Sequence, residues 1–221
     1  MQALRKPVAL ITLLFLLLAA NVGYADFFES IGDYATLARQ ALLDQSLPDL
    51  QNGVLNISDT TLNQMLQMTV GGTAANSVQN INVQFLAGNK LSATIKILQG
   101  DSYQVDAKIV QFMHNKTKSV TTLEVEKMRI LDGGFFGGIK NIFLSMCSVQ
   151  TLANWYGIPK FENGMKLSVK ENEVTVDFHE WLYKTKFGSM MFIGIRVLDA
   201  INVQKVETTD HNMKVYIALA I

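Results

Sequence analysis

Cysteine is nearly absent: the 221-residue chain carries one, Cys147, so no disulfide can form within it. Such a chain must be held by its buried core rather than by covalent staples. Proline is scarce as well, at three residues, and no Gly-, Ser- or Pro-rich linker divides the sequence. Nothing marks a domain boundary, and residues 26–221 suffice for a single domain with an adequate core. An excess of one charge is also missing. The 19 basic and 19 acidic residues balance, which speaks against nucleic-acid binding, usually announced by a strongly basic face. The sequence has no Gly-x-Ser-x-Gly elbow, no His-Glu-x-x-His and no His-x-His, so neither a nucleophile elbow nor a metal signature stands out. No metal and no cofactor is expected.

Long hydrophobic runs are limited to the N-terminus. Arg5 and Lys6 precede an apolar run from Val8 to Ala20, broken only by Thr12, and small residues stand at Gly23 and Ala25. This is the three-part pattern of a cleaved signal peptide over residues 1–25. The run is too short to span a bilayer, which takes about 20 apolar residues. Its removal leaves 17 basic and 19 acidic residues, a net charge of −2. The expected location is the bacterial periplasm, or the medium if the protein is not retained. Asn56-Ile57-Ser58 and Asn115-Lys116-Thr117 fit the N-glycosylation pattern, which matters only in a eukaryotic secretory pathway.

Three segments carry helical periodicity. Residues 27–43 place Phe27, Ile31, Tyr34 and Leu37 on one face. Ser58 and Asp59 offer N-cap oxygens to a second helix with the stripe Leu62, Met65, Leu66, Thr69 and Val70, stopped by Gly71-Gly72. A third runs from Ile139 to Tyr156, with Phe143, Met146, Cys147 and Val149 on its stripe and Lys140 as its only charge. The rest alternates with period two. Ile81 to Phe85, Leu91 to Ile97, Tyr103 to Ile109, Val120 to Ile130, Met165 to Val169, Val174 to Phe178, Ile201 to Val206 and Met213 to Leu219 read as strands. Short turns at Gly88-Asn89, Glu171-Asn172 and Asp210-His211-Asn212 join three hairpins. The apolar doublets Phe85-Leu86, Ile97-Leu98, Ile109-Val110 and Ile130-Leu131 mark either strand ends or bulges. Residues 181–187 read as a short helix or a loop. The fold class is α+β: a curved antiparallel meander sheet packed on two or three amphipathic helices.

Chemistry-bearing residues are few. His114 and His211 lie in expected turns as exposed polar residues, and His179-Glu180-Trp181 follows a strand. Cys147 lies on an apolar stripe without a nearby cation, as a structural, buried thiol does. Gly133 to Gly138 lacks the Lys-Ser/Thr ending of a phosphate loop and encloses Phe135-Phe136 instead. That pair is either a buried turn or an apolar tip that touches a membrane. Methionine is frequent, and residues 188–195, with Met190, Met191 and Phe192, are apolar on both parities. Such a surplus either fills a core or lines an adaptable apolar cavity.

Ile57-Ser58-Asp59-Thr60-Thr61-Leu62-Asn63, followed by the Val83, Leu91 and Val105 strands, resembles bacterial envelope proteins of the tubular lipid-binding (TULIP, BPI-like) type. The resemblance covers residues 54–131. It departs from the lipoprotein members in lacking a lipobox Cys, and the Lys140-bearing helix is longer than such a module calls for. The resemblance implies a strongly curved sheet around long helices with an apolar groove for acyl chains. It implies no enzyme activity. The candidate lining is Leu62, Met65, Leu66, Phe143, Met146, Met190, Met191 and Phe192, with Phe135 and Phe136 as membrane contacts. The expected function is non-enzymatic binding of a lipid or other apolar small molecule in envelope lipid handling. The alternative is a structural or interaction protein of the envelope that holds a protein partner. A hydrolase reading requires a cleft that gathers His179, Glu180 and a distant Asp or Ser.

Overall fold

The computed structural model describes residues 44–46, 48–49, 52–70, 78–97, 102–132, 141–142, 144–156, 164–184, 191–192, 195–196 and 198–220, a few of them by backbone alone. The signal peptide, the 27–43 helix, Phe135, Phe136, Phe143 and Met190 lie outside these residues. Antiparallel strands dominate. In chain order the elements are β1 (Val54–Ser58), α1 (Asp59–Val70), β2 (Val78–Leu86), β3 (Lys90–Ile97), β4 (Ser102–Asn115), β5 (Lys118–Ile130) and α2 (Val149–Tyr156). Then follow β6 (Lys166–Lys170), β7 (Glu173–Asp177), α3 (His179–Lys184), β8 (Met191–Phe192), β9 (Ile195–Arg196), β10 (Ile201–Thr209) and β11 (Asn212–Leu219). All eight strands expected from alternation are present. β1 was not among them; its Val54 and Asn56 are buried while Leu55 faces out.

The β4–β5 hairpin is the spine of an open nine-stranded sheet. One edge of β4 forks: Ser102–Lys108 pairs with β3, whereas His114 lies opposite Val203 of β10. Beyond the fork, β2 extends one branch, and β11 and β1 extend the other. On the far side β5 pairs with β7, and β7 with β6. β8 and β9 form a separate two-stranded ribbon.

Two bulges in the β4–β5 hairpin set which of its side chains point inward. Val110 is the extra residue between the Ile109–Leu123 and Gln111–Thr122 pairs, and Glu126 is the extra residue between Asp106–Lys127 and Ala107–Val125. A bulge exchanges the two faces of the strand beyond it. In β4 the buried set accordingly changes from Tyr103, Val105, Ala107 and Ile109 to Phe112 and His114. In β5 it changes from Leu123 and Val125 to Met128 and Ile130. Of the four apolar doublets, Ile109-Val110 is a bulge. Phe85-Leu86 and Ile130-Leu131 fall at strand ends, and Ile97 closes β3.

The core gathers on one face of the sheet, from Ile81, Phe85 and Ile95 on one branch to Val203 and Val215 on the other. Leu62 and Leu66 of α1 join it, as do Leu152 of α2 and Leu182 of α3. The expected helix from Ile139 to Tyr156 is not continuous: residues 141–142 and 144–146 are helical, Cys147 lies at a bend, and α2 starts anew at Val149. The break has a local cause. The Ser148 hydroxyl accepts from the Thr151 amide at 3.1 Å, so Ser148 acts as N-cap of a fresh helix. Ser58 does the same for α1, accepting from the Thr61 amide at 3.1 Å. Residues 181–184 complete α3, as the helical alternative for that segment required.

Open strands are stopped by side-chain amides. Asn63 accepts from the Val83 amide at 2.6 Å and donates to the Val83 carbonyl at 2.7 Å. Gln45 does this to Asn56 of β1, at 3.0 and 2.6 Å. Asn141 does it to Ile130 of β5, at 2.5 and 2.9 Å. Each amide presents the donor–acceptor pair that a neighbouring strand would present, and so occupies an edge otherwise open to association.

Candidate functional site

Two places combine shape with polar chemistry: a groove beside β5 and a buried network at the far end of the β4–β5 hairpin. The groove has a volume of about 300 Å³. One wall is the outer edge of β5 from Val125 to Arg129; the other carries Asn141, Leu144, Ser145, Cys147 and Val149, and Asn172 closes one end. Cys147 is a free, half-buried thiol packed against the core and lining this groove. Its packing fits a structural thiol, but it is less enclosed than its sequence setting implied. Close to the groove the molecule exposes large apolar side chains, Ile142 at 65% and Met146 at 80%.

The expected lining residues are dispersed. Leu62 and Leu66 have no exposed area and pack in the central core. Met146 faces solvent, because the chain bends at Cys147 and ends the helix whose stripe was to carry it inward. Met65 lies in α1, and Met191 and Phe192 form β8; only their backbones are described.

His114 corrects the sequence reading. Its sequence setting implies an exposed turn, yet it sits in β4 with 1% of its surface exposed. The bulge at Val110 is the reason: it turns even-numbered residues inward, so His114 follows Phe112 into the interior. Its Nε2–H donates to the Leu198 carbonyl at 3.1 Å. Nδ1 of the neutral ring therefore accepts, and the Ser119 hydroxyl lies 2.7 Å away as donor. Ser119, itself without exposed area, is 3.1 Å from Nδ1 of His179, whose N–H completes the chain by donating to it. Burial holds the His114 pKa below its ordinary value of 6.5, and the nearby His179 adds to this. The Leu198 carbonyl and the Asp199 charge oppose it.

The network continues outward. The His179 and Tyr183 rings lie 4.5 Å apart, and the Tyr183 hydroxyl donates to Asp199 at 2.6 Å. Burial, then the Asp199 hydrogen bond, raises the Tyr183 pKa well above 10, although Arg196, 5.5 Å from its ring centre, opposes the shift. Sequence reasoning missed Ser119 and Asp199 altogether; only the polar Ser119 one step after Lys118, in a strand start, hinted at an inward hydroxyl. Glu180 does not join. Its carboxylate pairs with Lys184 at 2.7 Å and Lys166 at 3.8 Å on the surface. His211 stays in its turn, largely exposed, with Nδ1 2.7 Å from Asp59 at the start of α1.

Ser119 has a neutral imidazole acceptor, but its hydroxyl is enclosed, so the described geometry gives it a structural part: it ties β5 to α3 and, through the His114 ring of β4, to the 198–200 turn. Among the described residues no group of three His, Cys, Asp or Glu converges as a metal site, and no helix is long and apolar enough to cross a membrane. The architecture is that of an open, mostly antiparallel sheet with a few short helices. No family model, curated protein or solved structure matches the chain.

Proposed function

We propose that this is an exported, non-enzymatic protein that binds a lipid or another apolar ligand between the sheet and its helices, in envelope lipid handling. One observation carries the reading. The sheet is open, bent by bulges, and gathers its apolar side chains on a single face, against which the described helices are short, at 12, 8 and 6 residues. A water-excluded apolar cleft with few polar groups is what an acyl chain needs. The TULIP-like resemblance of residues 54–131 points the same way. Within this reading residues 1–25 direct export to the periplasm, Met65, Met190, Met191 and Phe192 are the lining to test, and Phe135-Phe136 is the membrane contact.

The test is native mass spectrometry of the mature chain, with lipid extraction of the same sample. A stoichiometric phospholipid or fatty acid supports the reading. A ligand-free mass, with no uptake from added phosphatidylethanolamine–phosphatidylglycerol vesicles, rejects it. The second reading, an envelope protein that holds a protein partner, is favoured by the exposed Ile142 and Met146 beside the β5 groove, because exposed apolar groups at a groove mark interaction sites.

A further inference from the structure

β5 loses its outer neighbour halfway along. β7 pairs with Val120–Glu124, and just beyond that pairing the Val125 amide donates to Asn172 at 2.8 Å. Beyond it the bulge at Glu126 changes which backbone groups face outward. The Leu131 amide donates to Ser102 of β4 at 2.8 Å, so residues 129 and 131 bond inward to β4 and residues 128 and 130 turn their N–H and C=O to the outer side. At Ile130 the Asn141 amide takes up both groups. At Met128 no described strand lies on that side, and the groove runs alongside.

We propose that the Val125–Ile130 edge of β5 is a docking site for an extended segment of another protein, added as a further strand. This does not depend on lipid binding. Three features define the partner. A strand pairing at Met128 continues the ladder that Asn141 already imitates at Ile130, since added strands bind by main-chain hydrogen bonds and select side chains through flanking pockets. Its inward side chain enters the groove against Leu144, Cys147 and Val149, and is apolar. Its outward side chains stand beside Lys127, which is exposed, and Arg129, whose guanidinium is 3.4 Å from Asp106; acidic residues suit them. The same charges disfavour a second copy of this chain. Antiparallel self-pairing centred on Met128 sets Lys127 opposite Arg129 of the other copy, and like charges directly opposite are destabilising.

The experiment places a photo-crosslinking residue at Ser145, on the groove wall, in the full chain in intact cells. The segment it captures is then synthesised as a peptide and added to the purified protein. Binding of that peptide should slow amide exchange at Met128, weaken about 10-fold in Lys127→Glu through lost charge complementarity, and disappear in Met128→Pro. Proline there removes an outward N–H, which an edge strand tolerates, together with the buried Met128 side chain. Ser145→Arg, which fills the groove from an exposed position, serves if Met128→Pro does not fold. Crosslinks to lipid alone, to another copy of the chain, or to nothing overturn the proposal. So does peptide binding that all these variants leave intact.

Discussion

Replacing Ser119 by Ala removes one oxygen from the interior and two hydrogen bonds with it. The His114 ring is the more costly end: its Nδ1 has 1% residue exposure around it and loses its only donor in the network. A buried acceptor left unpaired costs about 1–3 kcal/mol. The His179 end is half-buried, so water can replace the lost partner and the cost there is small. The sum is about 2 kcal/mol. With a urea dependence of about 2 kcal/mol per molar for a small domain, the unfolding midpoint falls by about 1 M at unchanged slope. The measurement is urea unfolding followed by tryptophan fluorescence. A midpoint within about 0.2 M of the parent, well inside the predicted shift, would refute the network as drawn.

The same network fixes a pH dependence. The folded His114 pKa lies below the unfolded value near 6.5, so around pH 6 the unfolded chain binds more protons than the folded one. Stability then rises with pH. It is fully present above about pH 7.5, where both states hold neutral imidazole, and declines as pH falls through 6.5 toward the folded pKa. The groups that face the ring are His179, which favours the neutral form, and Asp199, which opposes it. Unfolding curves between pH 5.5 and 7.5 should show this slope in the parent and a shallower one in His114→Gln. Equal slopes in the two proteins would mean that another group is titrating.

Gly53→Ala tests the approach of β1 to β11: φ is +69° there and an added Cβ meets the Ile217 carbonyl oxygen at 2.5 Å. Left-handed backbone alone costs an alanine about 1–2 kcal/mol, so thermal unfolding should show at least that loss; an unchanged melting temperature would contradict the β1–β11 register. Asn63→Leu keeps bulk but leaves both Val83 backbone groups without their partner. It should lower stability by about 1–3 kcal/mol and speed exchange of the Val83 amide, and slow exchange in the variant would show that the amide clamp carries nothing.

The strands were legible because one apolar face imposes a period of two, and because Asn89, Glu171 and His211 sit at turns, all three with positive φ. Asn and His tolerate that region, whereas Glu171 is held there by the hairpin it closes. Three things were not legible. β1 is too short to show alternation, and its identity rests on pairing with β11, more than 150 residues away in sequence. The helix break at Cys147-Ser148 hid behind a continuous apolar stripe, although Ser148 was a capping residue in plain view. The burial of His114 follows from a single inserted residue, Val110, whose doublet with Ile109 was compatible with a strand end as well as a bulge. Ser119 and Asp199 joined the site only through tertiary pairing, which no local pattern encodes.

The amide clamps bear on both functional readings at once. An open sheet of this length exposes main-chain groups at several edges, and unprotected edges recruit other chains. Here Gln45 and Asp44 cover Asn56 and Ser58 of β1, and Asn63 with the His211 amide covers Val83 and Phe85 of β2. Lys166 and Lys170 end the short edge strand β6, charges that discourage pairing. The β1 and β2 edges are therefore closed by two partners each, and the β6 edge carries its own charges. The β5 edge is closed once, at Ile130, and among the described residues nothing closes it two residues earlier, where a groove follows it. A device applied twice at β1 and at β2 and once at β5 fits the added strand proposed for the Val125–Ile130 edge.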